Sequence, residues 1–343
     1  MFASRPRLFT GIISGALTAA VILGQSAIAS AQDFYKGKTL TFVVGSPPGG
    51  GFDLNTRILA RHIGRHIPGQ PDAIVSNMLG AGSLTALRYM EQVAPKDGTV
   101  SVSFNFGLIG VSKLTPDKAP VDFRKYGWIG SISQDLTTCY VWHEVGPKTM
   151  AELKARKGLH FGLASVGGNE DINAKILKNV FKVDINQVGG YPGSAAQRLA
   201  IQRRELDGGC GSWNSLPEEW VRNKWVNPVY RTGETPAPDM PAGVPWVLDI
   251  APSDRDRAII NLLVSHNELG RPYVVSPAVP AERQEMLRRA FQATMKDAQF
   301  IAELEKARMP LSPRSAEEAL KIIEAIYASP DDIVEAARTA AGG

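Results

Sequence analysis

The chain has 343 residues, of which 44% are hydrophobic, and it carries 38 Lys and Arg residues against 34 Asp and Glu residues. This length exceeds the usual size of a single hydrophobic core, so we expect two lobes. The charge is only mildly basic and no dense cluster of Lys and Arg occurs. Because nucleic-acid binding needs a concentrated positive surface, a nucleic-acid partner is not expected.

The N-terminus has the pattern of a cleaved export signal. Arg5 and Arg7 precede an apolar stretch over residues 8–23, and small-x-small cleavage sites follow, the last ending at Ala31. Glycines interrupt the apolar stretch, which leaves it short for a membrane-spanning helix. We therefore predict a signal peptide over residues 1–31, a mature protein in the periplasm and, since no Cys follows the stretch, no lipid anchor.

Short β-rich segments then alternate with amphipathic helical segments. Ten strands are predicted, over residues 39–44, 73–77, 99–104, 128–131, 138–142, 160–164, 184–188, 208–213, 228–231 and 273–276. Alternation of this kind is typical of parallel sheets that helices cover on both faces. The clearest helix follows the first strand, with Asp53 at its N-terminus and apolar residues at helical spacing.

The last third of the chain differs, because it is predicted to be nearly all helix with no new strand. Helices are expected over residues 282–296, 298–307, 316–327 and 331–340, with prolines between them. Such a C-terminal return packs on the first lobe. The predicted organisation is therefore lobe 1 over residues 32–136 and 231–343, and lobe 2 over residues 137–230.

A glycine-rich turn, Gly-Ser-Pro-Pro-Gly-Gly-Gly-Phe-Asp over residues 45–53, joins the first strand to the first helix. Open α/β sheets bind ligands at this position, at the carboxyl ends of their strands. Uncovered N–H groups and the helix N-terminus together attract an anion. Gly51 and Phe52 stand where a nucleotide-binding P-loop needs Lys and Ser or Thr, so a carboxylate suits the turn better than a phosphate chain.

Two further turns of small residues join strands to helices. One covers residues 164–171, with the sequence Ala-Ser-Val-Gly-Gly-Asn-Glu-Asp, and the other covers residues 80–83 before a helix predicted over residues 84–92. The turn over residues 164–171 and the glycine-rich turn over residues 45–53 lie on two strand–helix units, which predicts two half-sites that face one cleft. The turn over residues 80–83 is a third of the same kind.

Several motifs, in order, resemble the receptors of the tripartite tricarboxylate transporters, also called the Bug family. Residues 39–53 are similar to the start of those proteins, which have a hydrophobic strand followed by Pro-Pro-Gly-Gly-Gly-x-Asp. Residues 80–82, 94–99, 189–194 and 275–281 resemble four further motifs of the family. The motifs are specific as an ordered set, and the likeness covers nearly the whole mature chain.

The resemblance implies a type II, Venus-flytrap periplasmic binding protein with two crossover strands between its α/β lobes. It implies an extracytoplasmic solute-binding protein, without enzymatic activity, cofactor or metal, that captures a small carboxylate for membrane permease subunits. In such receptors main-chain groups and waters hold the carboxylate. Carried over by position, the contacts fall on Ser46, Pro48, Gly49, Gly50, Gly51, Asp53, Asn105, Phe106, Ser165, Gly167, Gly168 and Asn169, with Tyr191 nearby. We expect a monomer.

The sequence departs from the family in ways that bear on the ligand. Phe52 replaces a small polar residue, and Asn214 is the nearest polar residue where relatives often carry Asp. Phe52, Phe106, Tyr191 and Trp213 are aromatic, so they either line an apolar slot for an aromatic or longer-chain acid or pack in the core. Glu170 and Asp171 either complement a helix dipole or face the cleft, where they favour an amine or hydroxyl.

Some alternative interpretations of the sequence stay open, and others are disfavoured because a required motif is missing. Cys139 and Cys210 either form a disulfide or are two small buried side chains. A sensor for a membrane kinase would use the same fold and pocket. A periplasmic hydrolase is disfavoured, because Leu163 replaces the glycine that a nucleophile elbow needs before Ser165. His62 and His66 lie one helical turn apart among arginines, which indicates a solvated helix face rather than a metal site.

Overall fold

The computed structural model describes residues 34–163, 168–191 and 194–342. The predicted signal peptide, residues 1–31, lies outside these ranges. The strands are β1 (Thr39–Val44), β2 (Asp72–Asn77), β3 (Val100–Ser103), β4 (Gly127–Ser131), β5 (Thr137–Trp142), β6 (Leu159–Gly162), β7 (Ile185–Val188), β8 (Gly208–Ser212), β9 (Val226–Arg231), β10 (Pro272–Val275) and β11 (Arg314–Ser315).

Helices lie between most of these strands and make up much of the C-terminal third. They are α1 (Gly51–Ile63), α2 (Leu84–Gln92), α3 (Gly107–Leu114), α4 (Met150–Ala155), α5 (Asn169–Lys175, continued as a π-helix over Ile176–Val180), α6 (Ser194–Gln202), α7 (Glu218–Arg222), α8 (Asp254–Val264), α9 (Ala281–Thr294), α10 (Ala298–Lys306), α11 (Ala316–Tyr327) and α12 (Asp331–Ala340).

The first sheet has the strand order β11-β4-β10-β3-β1-β2. Strand β1 is parallel to β2 and β3, whereas β10 is antiparallel to β3 and β4. The sheet is therefore mixed, and the expectation of parallel sheets was wrong for β10. The chain returns from the second lobe at the carboxyl ends of β1 and β3, so β10 must run in the opposite direction.

The second sheet has the order β7-β6-β8-β5-β9 and is mixed for the same reason. Strand β6 is parallel to β7 and β8, and β5 is antiparallel to β8 and β9. Cys139 on β5 lies directly opposite Cys210 on β8, and the two are joined by a disulfide with their Cα atoms 4.0 Å apart. Of the two interpretations left open by the sequence, the structure has the disulfide.

The chain passes between the sheets twice. Residues 132–136 join β4 to β5, and the chain leaves the second sheet at the end of β9. The return to the first sheet is tightly packed at Gly270, where a Cβ atom would lie 2.5 Å from the main-chain nitrogen of Asp135. Only glycine fits this approach, which fixes the start of β10 against the connection between the lobes.

Aromatic side chains fill the core under each sheet. In the first lobe Phe104 and Phe123 stack with ring centroids 5.0 Å apart, beside the fully buried Trp128. In the second lobe Trp142 and Trp220 meet edge to face at 4.9 Å. Each side chain buried in this way stabilises the fold by about 1.5–3 kcal/mol.

The C-terminal helices cover the first lobe. Helix α10 lies against α1, where Glu303 hydrogen-bonds to His62 at 2.6 Å and Asp297 to His66 at 2.8 Å. The interpretation of a solvated face at these histidines was therefore wrong, because carboxylates from a distant part of the chain cover it. Strand β11 is a second departure, since no strand was expected in this region.

The last helix also contacts the second lobe. The side-chain amide of Asn179, in the π-helical continuation of α5, donates to the main-chain oxygen of Ala340 on α12 at 2.7 Å. Across the three described ranges, every helix is too short or too polar to cross a bilayer.

Candidate functional site

A cavity of about 490 Å³ lies between the two lobes. From the first lobe it is lined by residues of α1, α3 and the segment after α8, and from the second lobe by the N-terminal ends of α5 and α6 and the end of β8. Asp135, in the first connection between the lobes, lines its base. The lining residues are Phe52, Gly82, Asn105, Phe106, Gly107, Leu108, Gly110, Val111, Leu114, Asp135, Gly168, Asn169, Glu170, Ile172, Ser194, Gly211, Ser212, Ser215, Leu263 and His266.

Asp53 holds the glycine-rich turn in place. Its carboxylate is 1% exposed and accepts hydrogen bonds from Gly49 N–H at 2.8 Å, Arg57 Nε at 2.9 Å and Asn77 Nδ2 at 2.8 Å. Burial raises the pKa of this carboxyl, but the three hydrogen bonds outweigh burial and lower the pKa from 3.8 to about 2. Asp53 thus acts from within the protein, as a brace for the turn.

The turn leaves main-chain donors at the start of α1. Gly49 has a φ of +80°, which favours glycine, and Gly50 is the N-cap residue without a side-chain cap. Leu54 N–H is the first to bond along the helix, to Gly50 O at 2.9 Å. The preceding N–H groups, on Gly51, Phe52 and Asp53, have no carbonyl one turn earlier and keep their capacity to bind an anion.

Ser46 and Pro48 occupy the strand side of the same turn. Ser46 O accepts from Asn77 Nδ2 at 3.0 Å, while the Ser46 hydroxyl is buried and meets no hydrogen-bond partner within the described ranges. Pro48 is exposed. Neither residue contacts the cavity, so a ligand role for them remains a prediction.

The predicted small-residue turn before α2 ties two loops of the first lobe together. Ser83 Oγ donates to Gly45 O at 2.9 Å and accepts from Asn105 N at 3.0 Å. A Cβ on Gly45 would lie 2.3 Å from that of Ser83, which explains the small residue there. This turn therefore positions Asn105 and Phe106, both of which line the cavity. Their contact with a ligand remains a prediction.

The first-lobe wall is mainly apolar. The rings of Phe52 and Phe106 lie 6.3 Å apart, and Phe106 lies 5.9 Å from the ring of His266. Burial lowers the pKa of His266 from 6.5 to about 4, so the imidazole is neutral at pH 7. Leu108, Leu263 and their neighbours extend this surface, which suits an apolar ligand body.

The second-lobe wall is polar. Gly168, Asn169 and Glu170 line the cavity at the start of α5, and Glu170 Oε1 accepts from Ser194 Oγ at 2.6 Å. Asp171 points away from the cavity and is 1% exposed, with Lys175 Nζ at 2.8 Å and Gln187 Nε2 at 3.1 Å. Of the two acidic residues, Glu170 therefore faces the cavity, whereas Asp171 does not. Ser165 and Gly167 lie outside the described residues.

The remaining predicted residues of the second lobe lie apart from the cavity wall. Trp213 is 2% exposed in the lobe core, and its Nε1 donates to Asp239 Oδ1 at 2.8 Å. Tyr191 packs against the same core. Asn214 is exposed, while its neighbours Ser212 and Ser215 line the cavity. The sequence thus does not reveal whether an aromatic residue at the end of a strand faces the cavity or the core.

Sequence reasoning missed several lining residues. Asp135 and His266 have no motif around them, and they reach the cavity only because the chain crosses between lobes at these points. Ser194 also lines the cavity but was not among the predicted contacts. Among the described residues, no group of three or more His, Cys, Asp or Glu is placed to hold a metal ion.

Two lobes, two chain crossings and a cavity between the strand–helix turns are features of the two-lobed α/β fold that periplasmic binding proteins share. No family model matches the chain. A curated UPF0065 protein of Agrobacterium vitis, from the TAR-I ttuE-ttuC' intergenic region, is 26% identical over 188 residues, and the match covers 53% of this chain and 53% of that protein. The chain therefore matches about half the length of this relative.

Solved structures share the fold over nearly their whole length. A TctC solute-binding protein from Polaromonas has a TM-score of 0.70 at 16% identity, covering 88% of this chain and 99% of its own. The periplasmic binding protein BugD has a TM-score of 0.61 at 16% identity, covering 89% and 98%. An R. palustris protein solved with adipate also has 0.61 at 16% identity, covering 88% and 97%. The two-lobed α/β fold and the resemblance to the tripartite tricarboxylate receptors are confirmed.

Proposed function

We propose that this protein is an extracytoplasmic solute-binding protein that captures a small organic acid in the periplasm and delivers it to a membrane permease of the tripartite tricarboxylate type. The observation that carries the proposal is the cavity between the lobes, with the N-terminus of α1 at its edge and Phe52 in its wall. The adipate in the R. palustris relative supports a carboxylate as the ligand group.

The chemistry follows from the two walls. A carboxylate at the start of α1 would accept hydrogen bonds from N–H groups that the helix leaves unpaired, and the helix dipole favours its negative charge. Closure of the lobes removes the ligand from water and strengthens these bonds. Micromolar binding would correspond to about −8 kcal/mol.

The lining favours an acid with a single carboxylate and a large apolar body. Phe52, Phe106 and Leu263 provide apolar contact, whereas Asp135 and Glu170 place two acidic groups on the base and the far wall. A second ligand carboxylate beside Glu170 would be repelled, and a hydroxyl or amine would be a better partner. We therefore propose an aromatic or longer-chain acid rather than a compact tricarboxylate.

A thermal-shift screen tests this function, because a ligand that binds only the folded form raises the melting temperature. The panel contains 3-phenylpropionate, 4-hydroxybenzoate, adipate and citrate, with the amide of each aromatic acid as a neutral control. We expect a shift with at least one aromatic or long-chain acid, a smaller shift with its amide, and recovery of the acid unchanged after incubation. Equal shifts for acid and amide, or turnover of the acid, would contradict the proposal.

A substitution in the turn provides the second test. Gly50 has a φ of −78°, and a Cβ there would meet only Pro47 O at 3.5 Å, so Gly50→Val should fold. The added side chain stands beside the N–H groups at the start of α1, and we expect it to weaken binding at least tenfold. Unchanged affinity by isothermal calorimetry would place the carboxylate elsewhere.

A further inference from the structure

Arg271 lies at the edge of the first sheet that faces the second lobe. It directly precedes β10, and its main chain is fixed to the first connection between the lobes, with Arg271 N donating to Ser131 Oγ at 3.0 Å and Arg271 O accepting from Ile132 N at 3.1 Å. Its neighbour Gly270 is packed against Asp135, which lines the base of the cavity. The main chain of Arg271 is therefore held in place beside the first connection between the lobes.

From this position the side chain reaches the glycine-rich turn. The guanidinium carbon lies 4.6 Å from the centre of the Phe52 ring, and Nη2 lies 3.1 Å from the place that a Cβ on Gly51 would occupy. Arg271 thus stands at the first turn of α1, against a side chain that lines the cavity. A residue larger than glycine at position 51 would push it away.

The charge of Arg271 is not neutralised by the described part of the protein. No Asp or Glu of those ranges forms an ion pair with it, Nε is buried without a hydrogen-bond partner there, and Nη1 donates only to Gly270 O at 2.5 Å. Arg57 and Arg314, in contrast, pair with Asp53 and Glu268. A cation beside the positive end of a helix is unfavourable unless an anion joins it.

We propose, resting on the proposed function, that Arg271 is a ligand-binding residue whose guanidinium and the N–H groups of Gly51 and Phe52 hold one carboxylate of the ligand. The planar guanidinium donates two parallel hydrogen bonds to a carboxylate, which an ammonium group does not. The apolar part of the ligand then lies along Phe52 and Phe106. The family resemblance implies that mainly main-chain groups and waters hold the carboxylate, so a charged side chain at this point is a departure that sets specificity.

The test compares Arg271→Gln and Arg271→Lys with Arg283→Gln as the matched control. Arg283 also stacks on an aromatic ring, that of Phe34 at 3.6 Å, and its Nε is likewise buried without a partner among the described residues. Arg283 bonds to Asp97 O at 3.1 Å. Its ring partner Phe34 does not line the cavity, whereas Phe52, the ring partner of Arg271, does. The probes are 3-phenylpropionate and adipate with their amides, measured by calorimetry and thermal shift.

We expect Arg271→Gln to weaken binding of the acid at least tenfold and to reduce the preference for acid over amide, with Arg271→Lys in between and Arg283→Gln like the wild type. Without ligand, Arg271→Gln should melt at the same temperature as the wild type or higher, because it removes an unpaired charge. A merely structural role would instead lower the melting temperature and leave the acid-to-amide ratio unchanged.

Each remaining outcome is decisive. If the wild-type protein binds an acid of the panel and Arg271→Gln binds it within twofold as well, this inference is overturned while the proposed function stands. If the wild-type protein binds none of the acids, both are overturned. If Arg271→Gln does not fold, a reduced acid-to-amide ratio in Arg271→Lys supports the inference and an unchanged ratio overturns it.

Discussion

The two strand–helix turns on either side of the cavity are built alike but present different side chains. In α1 and in α5 the third residue is a buried Asp, paired with a cation four residues later: Asp53 with Arg57, and Asp171 with Lys175. Each Asp also accepts from a side-chain amide, of Asn77 and of Gln187 respectively. The residue before the Asp faces the cavity in both turns.

The difference lies in that cavity residue, which is Phe52 in one turn and Glu170 in the other. One bracing arrangement therefore supports an apolar wall and an acidic wall. Neighbouring residues therefore carry the scaffold of the site and its ligand preference, so each can be altered separately. A second difference is that the disulfide between Cys139 and Cys210 ties the second wall only, directly before Gly211.

The largest effect is expected from removing that disulfide. The cysteines are 71 residues apart, and a disulfide that closes a loop of this length stabilises a protein by about 4 kcal/mol. We expect Cys139→Ser with Cys210→Ser to lower the free energy of unfolding by this amount in urea. The wild type in reductant is the control, and equal stability in all three samples would show that the second lobe does not depend on the bond.

Next come the two aspartates, exchanged one at a time for asparagine. Each loses charged hydrogen bonds in a buried position, and we expect about 2 kcal/mol of lost stability for Asp53→Asn and for Asp171→Asn. Only Asp53→Asn should weaken acid binding strongly, because it releases Gly49 and the turn over which the carboxylate is proposed to lie. Equal losses of affinity in the two variants would show that both turns contribute alike to acid binding.

The pH dependence of stability tests the role of Asp53 separately. The pKa of Asp53 is lowered from 3.8 to about 2 in the folded protein, so its contribution is complete above about pH 4 and is lost as the pH falls towards 2. We expect the difference in unfolding free energy between wild type and Asp53→Asn to shrink over this window. A constant difference between pH 5 and pH 2.5 would mean that Asp53 titrates normally.

The smallest effect on stability is expected for Glu170→Gln, under about 1 kcal/mol, because the amide oxygen still accepts from Ser194. Its effect should appear in ligand choice. Removing the negative charge from the second wall should improve binding of adipate relative to 3-phenylpropionate by about threefold. A preference that does not change would show that Glu170 makes no contribution to selecting the acid.

Much of the fold could be predicted from the sequence because its signals are local. The bounds of β1, α11 and α12 match their predicted ranges, since periodicity and capping residues such as Ser315 act within a few residues. Strand direction could not be predicted at β10, where it depends on the path of the chain between lobes. The hydrogen bond between His62 and Glu303 could not be predicted either, because the two residues are far apart in sequence.

Part of the cavity lining could be predicted where a turn carries its own pattern. Phe52, Asn105, Phe106, Gly168 and Asn169 line the cavity. The other predicted residues of the glycine-rich turn do not line it, and a ligand role for them stays a prediction: Ser46, Pro48, Gly49, Gly50, Gly51 and Asp53. Trp213 was also placed near the cleft but lies in the core, because a single sequence does not reveal which way a side chain leaves a strand. Arg271 was missed altogether, since nothing near it in the sequence indicates that it reaches Phe52.

The contact between Asn179 and Ala340 restricts how the two halves of the molecule can separate. This hydrogen bond joins the π-helical segment of the second lobe to the terminal helix of the first, in addition to the two chain crossings. The ion pair of Arg308 with Glu218 at 2.6 Å is a further contact between the lobes. A rotation that admits a solute must therefore either break these contacts or turn about one of them.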